Sequence, residues 1–291
     1  MEILLKGVSF SYQLAGQDLT ALKDIDLVIH PGEILAITGE GGSGKSTLAQ
    51  VIAGLLKPTR GQVYWDGKPL WSPKGKRLLP WQGKVGLAFQ QPEDQLFAET
   101  VAEDVAFGPQ NLGLPPEEVE KRVKEALKKV GLNEEIFGCS PFSLSGGQKR
   151  RVALAGILAL DPDILILDEP TAGLDAGGRR QVTHIIREFH RRRGKTVILI
   201  SHNMAEVSVL AQRMIVLHKG QIVLTGTPAE VFARGGQLEE WGLLPPPLTR
   251  VLLELNRKGA SLNLAAFTLE EVEEEIWSWL SGQERCICRF L

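Results

Sequence analysis

A glycine-rich loop at residues 39–46 constrains the fold of this chain more than any other part of its sequence. The loop matches the pattern G-x-x-x-x-G-K-[ST] in full, and its glycines allow backbone N–H groups to surround phosphate oxygens without side-chain clashes. The apolar segment 33–38 predicts a buried strand before the loop, and residues 45–56 predict a helix after it, ended by Lys57 and Pro58. This context predicts a nucleoside triphosphate site. Its residues are Gly39, Glu40, Gly41, Gly42, Ser43, Gly44, Lys45, Ser46 and Thr47.

The loop predicts roles for two of its side chains. Lys45 would place a positive charge at the β- and γ-phosphates, and the Ser46 hydroxyl would be a ligand of Mg²⁺. The helix that begins here would add its N-terminal dipole to the same anion site. The loop alone leaves the reaction open, because small-molecule kinases and GTPases contain the same loop.

Two acidic residues follow a predicted buried strand later in the chain. Residues 164–167 are four consecutive large aliphatic residues, as a strand covered on both faces requires, and Asp168 and Glu169 follow them directly. The carboxyl ends of strands in an open α/β sheet face the ligand crevice. We therefore expect Asp168 to hold Mg²⁺ through water, and Glu169 to polarise the water that attacks the γ-phosphate.

His202 and Gln90 also follow apolar segments. His202 comes shortly after residues 196–200, and Gln90 directly after residues 85–89. In isolation, such a histidine would be a surface or helix-capping residue, and such a glutamine would be ordinary polar surface. Next to the predicted catalytic strand, we expect the imidazole to reach the γ-phosphate and the Gln90 amide to bind Mg²⁺ and orient water.

Size and charge limit the possible partners. The chain has 291 residues and a formal charge of -2, which suits one large α/β domain with an appendage and gives no electrostatic reason to expect nucleic acid as a partner. No apolar run approaches the roughly 18–20 residues needed to cross a bilayer, and the N-terminus lacks a signal-peptide pattern. We expect a cytosolic chain that reaches a membrane only through a partner. Cys139, Cys286 and Cys288 suggest neither a disulfide framework nor a metal site.

A second motif decides the class of protein. It consists of Leu144, Ser145, Gly146, Gly147 and Gln148. Read alone, it would be a turn that begins a helix predicted at residues 148–160. The motif matches the complete signature of ATP-binding cassette (ABC) proteins, and the chain resembles that superfamily over about residues 1–230.

The other motifs of the superfamily follow in the usual order, and each has a counterpart in this chain. The counterparts are Tyr12 for the aromatic residue that stacks on adenine, Gln90 for the Q-loop glutamine, Asp168 and Glu169 for the Walker B pair, Asp175 for the D-loop aspartate and His202 for the switch histidine.

The resemblance implies an α/β P-loop NTPase fold and a dimeric mechanism. The expected fold has a RecA-like core, an antiparallel β subdomain, a helical subdomain at about 91–155 and a small helical appendage at 231–291. The signature, led by Ser145, would clamp the γ-phosphate bound to the loop of the opposite subunit. ATP would then hold two such domains together, and hydrolysis would release them. The expected catalytic residues are Lys45, Gln90, Glu169 and His202.

A closer resemblance connects residues 89–97, 107–109 and 148–153 with energy-coupling factor (ECF) transporters, which import vitamins, cobalt or nickel. In these transporters two A-type ATPases drive a membrane T subunit, which engages a substrate-binding S subunit. Residues 150–156 and 170–175 are more similar to the second A-type member than to the first.

The ECF resemblance implies an ATPase with ATP and Mg²⁺ as cofactors, located at the cytoplasmic face of the cell membrane. Its partners would be a second ATPase (related or identical), the T subunit directly and the S subunit indirectly. The transported solute is chosen by the S subunit, which is another chain, so this sequence does not identify it.

Two finer assignments have alternatives. Residues 94–97 would contact the T subunit, although Leu96 and Phe97 would equally suit the core of the helical subdomain. The appendage would hold two ATPases together through exposed apolar residues such as Trp277 and Trp279, although a helix packed on its own domain would look the same.

The last helix of the appendage is predicted to begin at Thr268, where Thr268 and Glu271 match a capping box. The residues predicted to face inward are Leu269, Val272, Ile276, Trp279 and Leu280.

Other ABC classes fit the sequence less well. ABC ATPases of DNA repair and chromosome organisation carry long coiled-coil insertions between the phosphate loop and the signature, and residues 91–142 are too short for one. Translation-type and regulatory ABC proteins carry two cassettes, whereas this chain has one. We expect a transport ATPase, with another class of ABC transporter as the alternative and a non-transport ABC ATPase after it.

Overall fold

A computed structural model describes residues 1–14, 17–79 and 83–287 of the chain. Cys288 and the side chain of Cys286 lie outside the described residues, and so does the prediction about these two thiols. Of the residues that the model describes, no helix is both long enough and apolar enough to cross a bilayer.

The strands form two sheets. In chain order they are β1 (Ile3–Leu14), β2 (Gln17–Ile29), β3 (Ile34–Thr38), β4 (Arg60–Trp65), β5 (Lys68–Pro69), β6 (Val85–Ala88), β7 (Ile164–Asp168), β8 (Thr196–Ile200), β9 (Arg213–His218) and β10 (Gln221–Gly226). One sheet is antiparallel with the order β2-β1-β4-β5, and the other has the order β10-β9-β3-β8-β7-β6. In the second sheet the strands from β9 to β6 are parallel, and β10 pairs antiparallel with β9.

Helices cover the parallel sheet and form the described part of the chain after it, up to residue 287. They are α1 (Lys45–Ile52), α2 (Val101–Asn111), α3 (Pro116–Lys129), α4 (Gly146–Ala159), α5 (Ala176–Arg191), α6 (Met204–Leu210), α7 (Pro228–Phe232), α8 (Gly235–Glu240), α9 (Pro247–Arg257) and α10 (Leu269–Ile287). The expected combination of a parallel core sheet, an antiparallel sheet, a helical layer and C-terminal helices is therefore present.

The parallel sheet is buried on both faces, and β7 shows why its sequence is uniformly apolar. Ile164 and Ile166 belong to the cluster formed with the antiparallel sheet and α1. Leu165 and Leu167 belong to the cluster formed with α2, α3, α4 and α5. Because successive side chains of a strand point to opposite faces, only a continuous aliphatic run fills both clusters. The prediction of a strand covered on both faces is confirmed.

The helix after the phosphate loop is shorter than predicted. α1 ends at Ile52, four residues before the predicted end at Leu56. Gly54 adopts a left-handed φ of +70°, and a Cβ at this position would lie 2.8 Å from Leu70 Cδ2. Glycine is the residue that takes this conformation without strain, so Gly54 rather than Lys57 and Pro58 ends the helix.

The C-terminal residues divide between two cores. Phe232, Leu238 and Leu243 pack in a cluster with Ala36 and Met214 of the parallel sheet. Farther along, α9 and α10 share a separate small cluster that contains Leu252, Leu262, Ala266 and Val272. The proposed division of the chain at residue 230 stays a prediction.

The last helix follows its predicted start but not all of its predicted inward face. The Thr268 hydroxyl accepts from Glu271 N at 3.2 Å, and the Glu271 carboxylate accepts from Thr268 N at 3.0 Å, which completes the capping box. Leu269 is 64% exposed and Leu280 is 43% exposed, so these two residues were wrongly assigned to the inward face. Of the residues predicted to face inward, only Val272 is buried in the small cluster that α10 shares with α9. Ile276 and Trp279 are partly buried and pack against that cluster.

Candidate functional site

The predicted site residues collect at one edge of the parallel sheet. β3 ends at the phosphate loop, β7 ends at Asp168 and β8 ends at Ile200, two residues before His202. These strands are neighbours in the order β3-β8-β7. Because the carboxyl ends of parallel strands meet at the same edge, the loop, the Walker B pair and the switch histidine lie side by side.

Two glycines of the phosphate loop are required by close backbone packing. Gly39 has a φ of +153°, and a Cβ there would lie 2.1 Å from the Leu217 carbonyl oxygen. Gly44, the N-cap of α1, has a φ of +104°, and a Cβ there would lie 2.5 Å from the Ala21 carbonyl oxygen. A side chain at position 39 would push the loop away from β9, and a side chain at position 44 would push it away from β2.

Lys45 lies across the loop that precedes it. Its Nζ donates to the carbonyl oxygens of Gly39 at 2.9 Å and Glu40 at 2.8 Å. Burial lowers the pKa of Lys45, and the nearby charges of Glu169 and Asp168 act in the opposite direction. The ammonium group is thus held at the loop, where a bound triphosphate would meet it.

Asp168 and Ser46 supply oxygen atoms suited to a hard divalent cation. Asp168 is only 6% exposed, and burial raises the pKa of its carboxyl, while the Ser46 hydroxyl and the Lys45 charge lower it. Mg²⁺ prefers oxygen ligands and is usually bound by one or two carboxylates together with substrate phosphates. A buried carboxylate beside a hydroxyl, next to a phosphate loop, fits such an ion.

Glu169 and His202 are in direct contact. The Glu169 carboxylate lies 2.7 Å from His202 Nδ1 and accepts from the His202 backbone N–H at 3.2 Å. The Glu169 side chain is largely buried, whereas the His202 side chain is 69% exposed. Glu169 also has a left-handed φ of +52°, a conformation that costs a non-glycine residue of order 1–3 kcal/mol. The fold therefore holds Glu169 in a strained backbone conformation.

Glu206, which no sequence motif singled out, is a further carboxylate near Glu169 and His202. Glu206 accepts hydrogen bonds from the Thr171 hydroxyl at 2.9 Å and the Ser201 hydroxyl at 3.0 Å. Burial raises the pKa of Glu206, and the two hydroxyls partly offset this effect. Asn203 and Glu206 match an N-cap followed by a glutamate three residues later, which is a signal for a helix start rather than for a site. Only the fold shows that the carboxylate turns toward Thr171 and Ser201.

Arg150 is a second residue that the motifs did not single out as functional. Its guanidinium donates to the carbonyl oxygens of Ala172 at 2.7 Å, Glu169 at 3.0 Å and Gln90 at 3.2 Å. Its Nε is buried and makes no hydrogen bond with the described residues. The side chain thus joins α4 to the segment after β6 and to the turn after β7.

Tyr12 and Gln90 lie at the margin of the site. The Tyr12 hydroxyl is 3.1 Å from Thr47 Oγ1, and the Tyr12 ring packs edge-on against Phe10 with 4.9 Å between centroids. Tyr12 is therefore beside the phosphate loop, where an aromatic residue for adenine is expected. Gln90 is exposed at the end of β6, and its contact with Arg150 is through its main chain.

The signature lies at a different place from the phosphate loop. Ser145 is the exposed N-cap of α4, and its hydroxyl accepts from Gln148 N at 3.3 Å. Gln148 Oε1 accepts in turn from Ser145 N at 3.0 Å. Among the described residues, no hydrogen bond joins the signature to the phosphate loop. Asp175 caps α5 through a bond from Gly178 N at 2.7 Å and is also exposed.

The helical layer presents an exposed aromatic pair. Leu96 is 6% exposed and belongs to the core, as one of its two alternative assignments predicted. Phe97 is 59% exposed and Phe107 is 49% exposed, and their rings pack edge-on with 4.8 Å between centroids. Core packing therefore accounts for Leu96 but not for Phe97.

The chain matches the ABC transporter family model over residues 22–172. The energy-coupling factor transporter ATP-binding protein EcfA2 of Caldanaerobacter subterraneus subsp. tengcongensis is 48% identical, over 97% of this chain and 99% of the relative. The protein of the same name from Bacillus subtilis is 44% identical, over 91% of this chain and 96% of the relative.

Solved structures agree with these similarities. CbiO1 of Clostridium perfringens, part of the ABC transporter complex CbiONQ, is 38% identical with a TM-score of 0.69, over 88% of this chain and 96% of that chain. The ATP-binding cassette MJ0796, in a dimeric post-hydrolysis state with ADP and Pi, is 31% identical with a TM-score of 0.69, over 78% of this chain and 98% of that chain. The expected P-loop fold of an ABC nucleotide-binding domain is confirmed.

Proposed function

This chain belongs to the ABC transporter family, as an ATP-hydrolysing subunit of the energy-coupling factor type, and we propose that it couples dimer closure around ATP to solute import through a membrane T subunit. The resemblance to the second A-type ATPase is confirmed by relatives that carry that name. The proposed solute is a vitamin or a transition-metal ion such as cobalt or nickel, chosen by a separate S subunit.

One observation carries the catalytic part of the proposal. Glu169 lies 2.7 Å from His202 Nδ1 at the strand edge that also holds the phosphate loop. We infer that the Glu169 carboxylate polarises the attacking water, and that the exposed His202 imidazole meets the γ-phosphate. Lys45 would neutralise charge that develops on the phosphates in the transition state.

A Mg²⁺ ion bound by Ser46, Asp168 and Gln90 would neutralise phosphate charge. Ser46 and Asp168 lie together beside the loop, which supports their part of this ligand set. Tyr12 would stack on adenine, and its contact with Thr47 supports a position next to the bound nucleotide.

The second half of each site is proposed to come from a partner ATPase, either a related A-type subunit or another copy of this chain. Ser145 is an exposed helix N-cap that makes no hydrogen bond with the phosphate loop among the described residues, so it is available to a nucleotide held by another subunit. A dimeric cassette such as MJ0796 supports this arrangement by similarity. Asp175, exposed at the start of α5, would lie at the same interface.

The T subunit is proposed to dock on the helical layer. Phe97 and Phe107 are both exposed, by 59% and 49%, and their rings pack together as one aromatic surface, whereas Leu96 is buried in the core. Exposed aromatic clusters of this kind are typical of protein interfaces. This docking would place the chain at the cytoplasmic face of the cell membrane.

Replacing Glu169 with glutamine tests the catalytic proposal. Glu169→Gln should reduce ATP turnover by about a hundredfold or more, because removing a general base costs on the order of 10²–10⁴ in rate. ATP binding and ATP-dependent dimerisation should persist, because the phosphate loop and the signature are unchanged. A variant that turns over ATP at the original rate would remove Glu169 from this role.

The partners are tested by extracting the complex from membranes in detergent and identifying the copurifying polypeptides. The proposal expects a second ABC ATPase and a multispanning membrane subunit. Copurification with ribosomes or DNA in place of a membrane subunit would overturn the transport function while leaving the ATPase chemistry intact.

A further inference from the structure

Helix α4 has the signature serine at its N-terminal end and an arginine that contacts the proposed catalytic turn on its second turn. Its N-cap is the signature serine, Ser145, which the proposed function assigns to the ATP of the partner subunit. Arg150, on the second turn, points back into this chain's own site. One helix therefore has a serine proposed to bind the partner's ATP and an arginine in contact with the site proposed for this chain's own ATP.

The Arg150 contacts are selective for main-chain oxygens. The carbonyl groups that accept its hydrogen bonds belong to Gln90, Glu169 and Ala172, with distances of 3.2, 3.0 and 2.7 Å. Glu169 and Ala172 are the two ends of one turn, because Ala172 N also donates to Glu169 O at 3.2 Å. A planar guanidinium is suited to this task because its donors have a fixed fork geometry, whereas a lysine ammonium acts as a point charge.

The Glu169 backbone needs such support. Its φ of +52° is a left-handed conformation that a glutamate adopts only when its surroundings fix it. On the N-terminal side, Glu169 N donates to Ile200 O at 2.9 Å, which ties the residue to β8. On the C-terminal side, the carbonyl is held by Ala172 N and Arg150 Nη2.

We propose that Arg150 is a positioning residue that fixes the left-handed turn at Glu169 from α4, and so sets the direction of the Glu169 carboxylate toward His202. The proposal rests on the catalytic role proposed for Glu169. Because Ser145 is the N-cap of α4, a movement of the signature on binding the partner's ATP is transmitted through Arg150 to this chain's own catalytic carboxylate. Arg150 thereby links the two composite ATP sites within one chain.

The test is Arg150→Lys in the assembled complex with the partner ATPase. Lysine keeps the positive charge but lacks the two guanidinium nitrogens that donate to the three carbonyl oxygens. The turnover number should therefore fall by about ten- to a hundredfold, the scale expected when a catalytic group is displaced by about 1 Å. The KM for ATP should change little. Because closure still occurs and only cleavage is slow, the complex should retain ATP rather than ADP after rapid filtration.

Arg122→Lys is the matched control. Arg122 donates to the carbonyl oxygens of Ala159 at 3.5 Å and Leu160 at 3.3 Å, at the other end of α4 and away from Glu169. Arg122→Lys also replaces a guanidinium that donates to main-chain oxygens, in this case both from Nη1, so it reports any general loosening of the helical layer. Its turnover number should stay within about twofold of the unsubstituted complex.

The outcomes separate the inference from the proposed function. Loss of activity in Glu169→Gln together with an unchanged turnover number in Arg150→Lys would overturn the inference alone. A parallel loss of melting temperature, ATP affinity and turnover in Arg150→Lys, matched by Arg122→Lys, would show a structural role and also overturn it. An active Glu169→Gln variant would remove the premise.

Discussion

At the scale of single residues, the end of β7 concentrates two unfavourable features. Asp168 is a buried carboxylate whose pKa is raised by burial. Glu169, its neighbour, has a left-handed backbone. Neither feature contributes to the stability of the folded chain, and both lie in the proposed reaction centre. Such local conflicts are expected where a fold is shaped for chemistry.

Replacing Asp168 with asparagine should stabilise the nucleotide-free and metal-free chain at neutral pH. Because its folded pKa is raised, Asp168 binds a proton more tightly in the folded than in the unfolded state, so stability falls as pH rises from the ordinary aspartate pKa through the raised value. Above this pH window Asp168→Asn should have a higher melting temperature than the unsubstituted chain. Each kcal/mol added to the free energy of unfolding raises the melting temperature by about 2–4 °C in a domain of this size. The gain should vanish below the window.

Thermal unfolding followed by circular dichroism across this pH range checks the prediction. Asp18→Asn, at an exposed position on β2, is the control for the loss of one negative charge. A gain of equal size at every pH would contradict burial of the ionised carboxylate as its cause. ATP hydrolysis by Asp168→Asn should be lost in the same preparation.

At the scale of helices and strands, sequence patterns predicted those elements that depend on residues close together in the chain. The aliphatic runs of β3 and β7 predicted these strands nearly residue by residue. The early end of α1 was missed because Gly54 packs against Leu70, which is distant in sequence. The contacts of Arg150 with its three carbonyl acceptors and of Glu206 with Thr171 were missed for the same reason, since these partners lie 19 to 60 residues away along the chain.

Gly61 offers a test of how β4 packs against β1. Gly61 and Gly67 have similar left-handed φ values of +77° and +72°. A Cβ at Gly61 would lie 2.3 Å from Gly7 O and 2.5 Å from Lys6 O, whereas a Cβ at Gly67 would meet nothing within 4 Å. Gly67→Ala should cost about 1–2 kcal/mol for its backbone conformation. Gly61→Ala should cost a further ~1–3 kcal/mol for the clash with β1.

Urea unfolding of the two variants measures this difference directly, because the backbone strain is common to both. Equal losses would mean that β1 moves away from position 61 without resistance. The antiparallel sheet would then be less rigidly held than its packing indicates.

At the scale of the whole molecule, α9 and α10 share a small cluster of their own, whereas residues of α7 and α8 pack against the parallel sheet. The α9–α10 cluster is small, and Trp277 on α10 is 63% exposed. An exposed tryptophan on a helix with its own small core supports the prediction that residues 231–291 hold two ATPases together. The predicted dimer would then have two separate contact regions, one through ATP and one through the appendage.

Trp277→Ser should weaken the association of this chain with its partner ATPase in nucleotide-free solution by about tenfold or more, since buried tryptophans are frequent hot spots of interfaces. Sedimentation velocity over a range of concentrations measures the effect. Leu55→Ser is the control, because Leu55 is 52% exposed, three residues after the end of α1 and far from α10 in sequence. Unchanged association in Trp277→Ser would assign the contact to another surface.

The left-handed backbone of Glu169 has a consequence for evolution. Glycine and asparagine tolerate such a conformation better than glutamate does, so mutational drift at this position gains folding stability when it discards the carboxylate. Selection for the catalytic role proposed for Glu169 has to oppose that drift continually. After gene duplication, one copy released from this selection would readily decay into an inactive subunit that still folds well and still binds its sister.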